Sequence, residues 1–249
     1  MVHSSHEIIK GGFLHYDIPV GVLCLESYFP KPPGHVRNPL SFPFPVVCQV
    51  VEGVDVPKLL FNPTPDLLAP FIAGARQLEK DGVKAIVGSC GFMARFQAEL
   101  ADAVNVPFVS SSLVQIPMIR LLYGKTVRIG VLTASEKALT PAHFAPLGMN
   151  MEEVFIKGME EYPDFWDTII TGKKPDMDMV GMRESICEAA LSLQQEHDIN
   201  VLLFECTDLS AFGADVQERT GLAVFDINSL VEYVGYSVCR PRYKEARNR

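Results

Sequence analysis

The sequence predicts an α/β fold of two pseudo-symmetric lobes, with mainly parallel sheets flanked by helices and an active site in the cleft between the lobes. Two observations lead to this prediction. Short aliphatic runs alternate along the chain with longer segments of helical period, which is the pattern of a parallel sheet with crossover helices. In addition, one strand–helix–strand stretch repeats without a gap at an offset of 116 residues, from Cys90 to Cys206.

Short apolar runs are predicted as buried strands, because they are rich in Val, Ile, Leu and Phe and are bounded by turn-forming residues. These runs occupy residues 20–25, 84–89, 107–111, 127–133, 201–205 and 222–227.

Helices are predicted where apolar residues recur at helical spacing, over residues 65–82, 93–104, 178–197 and 209–221. Gly82 is the expected C-cap of the first, because glycine readily takes the left-handed conformation that ends helices. Two proline- and glycine-rich stretches, residues 29–45 and 158–176, are expected to be loops. Loops of this length either cover a functional site or are ordered surface loops.

The lobes are expected to divide the chain unequally, with more than one crossing between them. We assign residues 1–130 together with 210–249 to the first lobe and residues 131–209 to the second. A chain of 249 residues is long enough to bury a large core in either arrangement, one compact unit or two lobes.

Composition excludes several classes of function. The net charge is −8 and no Lys/Arg-rich run occurs before the C-terminal tail, so no nucleic-acid binding is expected. No apolar run approaches the length of a membrane span and no secretory signal is recognisable, so no membrane association and a cytoplasmic location are predicted. The six cysteines include no CxxC pair, which favours reduced thiols. Without zinc-ligand spacing or a phosphate-binding glycine motif, neither a metal nor an organic cofactor is expected.

The repeat places core positions on core positions and puts Cys90 in register with Cys206. Each cysteine follows a predicted strand and precedes a predicted helix, where open parallel sheets bind ligands. The positive end of a helix favours thiolate over thiol. The other four cysteines, at positions 24, 48, 187 and 239, are expected to be packing residues, which also remains the alternative for Cys90 and Cys206.

Two thiols facing each other across one cleft could invert a stereocentre. One thiolate would remove a proton from a carbon acid and the other thiol would return one on the opposite face, while the helix ends stabilise the enolate-like intermediate. Gly91 would let the backbone approach the substrate closely. Thr207 and Asp208 could cap the following helix or help bind a substrate carboxylate.

The segments GSCGF (88–92), FECTDL (204–209) and TGLAVFDI (220–227) resemble the aspartate/glutamate/hydantoin racemase superfamily, and the resemblance extends over about residues 15–238. It implies two pseudo-symmetric α/β domains that each supply one cysteine, with no pyridoxal phosphate and no metal. The stretch VRIGVLTAS (127–135) is similar to the central strand of that family, which implies that Thr133 and Ser135 contact the substrate.

The motifs also differ from those of glutamate racemases, which typically carry Asp-Ser after the first strand, Cys-Asn-Thr in the first half and Cys-Thr-His in the second. Here the motifs are Cys90-Gly91-Phe92 and Cys206-Thr207-Asp208, which disfavours glutamate as substrate. Phe92 is predicted to form an apolar wall of the site or to pack at the helix start. Asn38 is a candidate polar contact to the substrate or a turn residue.

We therefore expect a cofactor-independent racemase or epimerase of a small amino acid or related carboxylate, acting by two-cysteine proton transfer at Cα as a homodimer or larger homo-oligomer. The resemblance leaves hydantoin racemase, maleate-type cis–trans isomerase and arylmalonate-type decarboxylase as alternatives. The presence of both cysteines argues against the decarboxylase. An alternative of a different class is a non-catalytic protein that binds a small anion.

Overall fold

Two four-stranded parallel sheets form the centre of the computed structural model, which describes residues 10–241. The first sheet has the order β2-β1-β3-β4 and the second has the order β6-β5-β7-β8, so the two halves share one topology. The strands are β1 (Val20–Glu26), β2 (Val46–Asp55), β3 (Ala85–Gly88), β4 (Phe108–Val109), β5 (Ile129–Thr133), β6 (Phe155–Gly158), β7 (Val201–Phe204) and β8 (Ala223–Phe225). The predicted fold class is confirmed.

Helices connect and flank these strands. The longest, α7 (Met179–His197), is capped at its start by Asp178, whose side chain accepts hydrogen bonds from the N–H groups of Val180 and Gly181. The α-helices are α1 (Val56–Phe61), α2 (Leu68–Asp81), α3 (Gln97–Asp102), α4 (Ile116–Tyr123), α5 (Pro141–Phe144), α6 (Pro163–Phe165), α7 (Met179–His197), α8 (Gly213–Thr220) and α9 (Ile227–Val238). None of the helices within residues 10–241 is both long and apolar enough to cross a bilayer.

All six predicted strands are present, but β2 and β6 are missing from the prediction. Both lie at sheet edges, where most of the side chains remain at least partly exposed and no continuous apolar run develops. The helices predicted over residues 93–104 and 209–221 also begin later than expected. Residues 91–96 and 207–212 form 3₁₀ turns, and α-helix starts only at Gln97 and Gly213. Gly82 ends α2 with φ of 109°, as predicted.

The 116-residue repeat is visible in the structure. At that offset β3 coincides with β7, the 3₁₀ turn at 91–96 coincides with the turn at 207–212, and α3 begins where α8 begins. The repeat therefore describes equivalent units of the two sheets, each with a cysteine between strand and turn.

The chain returns to the first lobe after β8. Strand β8 pairs with β7 in the second sheet, and α9 then packs Ile227, Leu230 and Val231 against Val20 and Val22 of the first sheet. The second sheet thus extends to residue 225, and the expected lobe boundary at residue 209 falls inside its last strand–helix–strand unit. The reason is that β8 needs β7 as its hydrogen-bonding neighbour.

The two predicted loops differ from each other. Residues 29–45 contain neither helix nor strand, as their prolines require. The stretch at 158–176 includes α6 and a π-helical turn at Trp166–Ile170, so it is more ordered than its composition suggests.

Candidate active site

Cys90 and Cys206 each stand between a central strand and a 3₁₀ turn, and hydrogen bonds join the two lobes beside them. The Thr207 hydroxyl donates to the backbone oxygen of Ser89 at 2.5 Å. The Ser112 hydroxyl donates to the backbone oxygen of Phe204, also at 2.5 Å. Because these bonds lie next to the cysteines, they fix one half of the repeat against the other at the carboxyl ends of the strands.

Both cysteines line one cavity, which we call the inter-lobe cavity. Its walls come from the ends of both central sheets, from the proline-rich loop, from α1 and from the π-helical turn. The space inside it that the centre of a water molecule can reach is about 20 Å³, so the cavity is largely closed by its own side chains. The lining residues are Leu25, Ser27, Phe29, His35, Arg37, Val56, Leu60, Ser89, Cys90, Gly91, Phe92, Ala134, Ile170, Cys206, Thr207 and Asp208.

Four further predicted site residues join the cysteines in this cavity, namely Gly91, Phe92, Thr207 and Asp208. Phe92 is almost fully buried, and its ring meets that of His143 edge-on with centroids 5.1 Å apart. It therefore forms an apolar wall and also packs at the start of the turn, which unites the two alternatives.

Thr133, Ser135 and Asn38 are not among the lining residues, and each is engaged with protein groups. The Thr133 hydroxyl donates to Glu205 Oε2 at 2.7 Å, and the Ser135 hydroxyl donates to Glu160 Oε1 at 2.8 Å. In the proline-rich loop, the Asn38 amide donates to a backbone oxygen at 2.6 Å, and its Oδ1 accepts from the Leu40 N–H. The contacts of Asn38 are those of a turn residue. A role in substrate binding stays a prediction for all three side chains.

The proline-rich loop brings His35 and Arg37 into the cavity, which the sequence analysis missed. His35 Nε2 lies 2.8 Å from Asp208 Oδ1, and His35 Nδ1 accepts a hydrogen bond from the Arg37 N–H. Because Nδ1 is an acceptor, the ring proton is on Nε2, and the Nε2–H donates a hydrogen bond to the carboxylate. The Arg37 guanidinium donates to Ser27 Oγ at 2.7 Å. In the sequence, only the length of the proline-rich loop indicated that its residues could reach the site.

Burial controls the ionisation of both thiols. It raises the pKa of Cys90 well above the ordinary value, and the nearby Glu205 acts in the same direction. Burial also raises the pKa of Cys206, with Asp208 and Glu205 adding to the effect. The Phe92 N–H at the turn lowers the pKa of Cys90, as expected for a helix start, but by less than burial raises it. The N–H groups at the start of both turns thus act in the predicted direction, toward the thiolate, but burial acts more strongly in the opposite direction.

Glu205, directly before Cys206, is a second residue that the sequence analysis missed. Its side chain is completely buried, and burial raises its pKa to about 8, while the hydrogen bond from Thr133 opposes that shift. Within residues 10–241, no group of three or more His, Cys, Asp or Glu side chains is arranged to hold a metal ion.

Comparison with known proteins gives the family. The chain is 30% identical to a dimethylsulfoniopropionate lyase of Durusdinium sp. clade D, over 90% of this chain and 76% of that protein. The chain belongs to the dimethylsulfoniopropionate lyase family. It is also 30% identical to dimethylsulfoniopropionate lyase 3 of Emiliania huxleyi (strain CCMP1516), over 83% of this chain but only 56% of the longer relative. No family model matches the sequence.

Solved structures place this lyase family within a known fold. A mutant of arylmalonate decarboxylase aligns with a TM-score of 0.57 at 14% identity, over 91% of this chain and 97% of the decarboxylase. Glutamate racemase from Francisella tularensis subsp. tularensis SCHU S4, in complex with D-glutamate, aligns with a TM-score of 0.54 at 12% identity, over 91% and 85% of the two chains. The fold is that of the aspartate/glutamate racemase superfamily, as the motifs indicated.

These relatives and neighbours are enzymes, which supports an enzyme rather than a non-catalytic anion-binding protein. The isomerase class predicted from the sequence is not confirmed, because the relatives at 30% identity are lyases.

Proposed function

We propose that the protein is a cofactor-independent lyase that removes a proton from the carbon next to a carboxylate and expels a leaving group from the following carbon, with dimethylsulfoniopropionate as substrate. The observation that carries the proposal is the pairing of Cys90 and Cys206 in one cavity whose charged residues are Arg37 and the Asp208–His35 pair. Membership of a family whose named members are dimethylsulfoniopropionate lyases supports the same reaction.

The reaction needs one base. The substrate carries a carboxylate at one end and a dimethylsulfonium group at the other. A cysteine thiolate takes a proton from Cα, the C–H electron pair becomes the Cα–Cβ double bond, and the Cβ–S bond breaks with its electrons on sulfur. The products are acrylate, neutral dimethyl sulfide and the thiol. Because the sulfide leaves without charge, no acid has to protonate it.

The charges of the cavity suit a substrate with this distribution. Arg37 is the cationic side chain of the wall and its guanidinium matches a carboxylate, which it can bind through two parallel hydrogen bonds. Asp208 is the acidic side chain of the wall, and a sulfonium group can turn toward its carboxyl group, whose Oδ1 accepts from His35 Nε2. The apolar residues Leu25, Phe29 and Phe92 offer contacts for the methyl groups.

Substrate binding would also activate the thiols. Burial and acidic neighbours raise the pKa of Cys90 and of Cys206 and so favour their protonated forms. A sulfonium cation brought beside them favours the thiolate, because an opposite charge within a few ångströms stabilises the charged form. The N–H groups of Phe92 and Asp208, at the start of the two turns, would stabilise the thiolates of Cys90 and Cys206 through hydrogen bonds.

Racemisation or epimerisation at Cα is a second candidate, favoured by one specific observation. The two cysteines come from equivalent positions of opposite lobes and reach the same cavity. That arrangement offers a base to each face of a substrate, which a stereochemical inversion requires and an elimination does not.

The test separates the two reactions in one experiment. The protein is incubated in D₂O with dimethylsulfoniopropionate, and dimethyl sulfide is measured in the headspace while acrylate is followed by proton NMR. A parallel panel of amino acids and small carboxylates is examined for deuterium at Cα. We expect dimethyl sulfide and acrylate in equal amounts, and none with the Cys90→Ala/Cys206→Ala double variant. Deuterium exchange without any dimethyl sulfide would replace the lyase by the racemase, and neither signal would contradict both.

A further inference from the structure

The Glu205 carboxyl group has an unusual environment for an acidic side chain. It is completely buried at the end of β7, directly before Cys206. Oε2 accepts the hydrogen bond from the Thr133 hydroxyl, whereas Oε1 is buried without a hydrogen-bond partner. No lysine, arginine or histidine within residues 10–241 forms an ion pair with it.

The same carboxyl group lies between the two cysteines. A Cβ atom added to Gly91, the residue after Cys90, would lie 2.2 Å from Oε1 and 2.2 Å from the backbone oxygen of Glu205. Oε1 therefore packs against the first lobe beside Cys90, while the chain of Glu205 continues into Cys206. Gly91 is needed because any side chain there would occupy the space of this carboxyl group.

The repeat shows that the acid is specific to the second lobe. Position 205 is equivalent to Ser89, whose hydroxyl oxygen accepts a hydrogen bond from the Leu25 N–H at 3.2 Å. Each lobe thus places a polar side chain before its cysteine, where it binds the end of the central strand. A hydroxyl would be sufficient for that contact, so an ionisable group at position 205 needs a further explanation.

Electrostatics favours the neutral acid at this position. A carboxylate that is buried without a cation and with one unsatisfied oxygen is strongly disfavoured relative to the protonated form. The titratable groups around it are Cys90 from the first lobe, and Cys206 and Asp208 from its own segment. None of these is a cation. Asp208 is bound to His35, and the Arg37 guanidinium donates its hydrogen bonds to the Leu25 backbone oxygen and to Ser27. Hydrogen bonds from the Thr133 hydroxyl and the Ala134 N–H favour the carboxylate, but burial acts more strongly. Burial and the charge of Asp208 raise the pKa of Glu205 to about 8.

We propose, on the basis of the lyase function above, that Glu205 is a positioning residue that must hold its proton for Cys90 or Cys206 to become a thiolate. When Glu205 is neutral, it adds no negative charge that would oppose a thiolate on either sulfur. An ionised Glu205 places a carboxylate beside both sulfurs, and the repulsion keeps their protons in place. Protonated Glu205 therefore belongs to the active form of the site, and its ionisation switches the thiols off.

The test compares wild-type protein with Glu205→Gln, which keeps the shape and the hydrogen bond to Thr133 but cannot ionise. Glu161→Gln, at an exposed position of the same lobe, is the matched control. Without substrate, the pH dependence of iodoacetamide alkylation is followed for Cys90 and Cys206 by peptide mass spectrometry. In Glu205→Gln the midpoint of thiol reactivity should move to lower pH by about one unit, because the carboxylate that opposes the thiolate is absent. The Glu161→Gln profile should coincide with that of wild type.

A second measurement observes the proton itself. The infrared spectrum of wild type at neutral pH should contain the carbonyl band of a protonated carboxylic acid, absent from Glu205→Gln, and the band should fade as the pH rises through about 8. Thr133→Val removes the hydrogen bond that favours the carboxylate, so its band should persist to higher pH. This variant also serves if Glu205→Gln fails to fold.

Identical alkylation profiles for wild type and Glu205→Gln, or a wild-type spectrum without the acid band, would overturn the inference. Because neither measurement uses a substrate, failure of the lyase function is seen separately, as absence of dimethyl sulfide.

Discussion

His35 Nε2 donates a hydrogen bond to Asp208 Oδ1 across 2.8 Å, with both side chains largely shielded from water. The two residues are far apart in the chain, one in the proline-rich loop of the first lobe and the other in the turn after Cys206. A second bond, from the Asn228 amide to the backbone oxygen of Gly34 at 2.6 Å, ties the same loop to α9. The loop is thereby held over the inter-lobe cavity and delivers Arg37 to it.

Removal of this tether should loosen the loop. In His35→Ala the Asp208 carboxylate loses its donor, and we expect a loss of about 1–3 kcal/mol in the free energy of unfolding together with faster proteolytic cleavage within residues 29–45. His35→Gln retains an N–H donor and should lie close to wild type in both measurements. Equal cleavage of the loop in wild type and His35→Ala would show that the pair does not hold it.

Single cysteine variants should discriminate between elimination and racemisation. Elimination needs one thiolate, so of Cys90→Ser and Cys206→Ser one should lose roughly 10²–10⁴-fold in the rate of dimethyl sulfide release, whereas the other should lose far less. The larger loss identifies the base. If the protein instead inverts a stereocentre, both variants should be inactive in racemisation, because each face of the substrate needs its own thiol. Near wild-type rates in both would return the two cysteines to packing roles.

The opposite charges of the cavity should act on opposite ends of the substrate. Arg37→Gln should weaken binding of both dimethylsulfoniopropionate and acrylate, whereas Asp208→Asn should weaken only that of the sulfonium compound, because acrylate has no cation. We expect KM or inhibition constants to rise about tenfold or more where the paired charge is lost, since charge-assisted hydrogen bonds contribute more than neutral ones.

The control for this pair is Arg120→Gln, which removes an arginine paired with Glu153 outside the cavity. It should leave KM for the substrate and the inhibition constant of acrylate unchanged. An Arg37→Gln variant with unaltered acrylate inhibition would show that the carboxylate is bound by other groups.

Periodicity was sufficient for the central strands, because β1, β3, β5 and β7 are buried on both faces and therefore read as continuous apolar runs. The repeat then placed Cys90 and Cys206 at equivalent positions of the two sheets. Because open parallel sheets bind ligands at the carboxyl ends of their strands, both cysteines could be expected at one site. The edge strands β2 and β6 carry no such signal.

Arg37 and His35 lie in a segment without periodicity. The contacts of His35 with Asp208 and of Arg37 with Ser27 therefore depend on a loop path that local sequence does not determine. Glu205 was missed for a different reason. A glutamate after a buried strand is normally exposed, and only the packing of Gly91 against it shows that it is enclosed.

The stability of the fold should depend on pH through Glu205. Its pKa is about 8 in the folded protein, above the ordinary value of 4.5, so the folded state holds a proton that the unfolded chain releases. A carboxyl group whose pKa is raised by folding stabilises the fold fully when the pH is below its pKa in the unfolded chain. This stabilisation is lost as the pH rises to its pKa in the folded protein. Between these limits the free energy of unfolding should fall by up to about 1.4 kcal/mol per pH unit.

Urea unfolding of wild type and Glu205→Gln at several pH values measures this loss directly. The difference in unfolding free energy should move in favour of Glu205→Gln as the pH rises from about 4.5 to about 8, and should level off above that range, where Glu205 is ionised in both states. Glu161→Gln, which changes an exposed carboxylate, should follow wild type across the whole range. A constant difference between wild type and Glu205→Gln would mean that Glu205 ionises alike in the folded and unfolded protein, and hence that its carboxylate finds a stabilising partner in the fold.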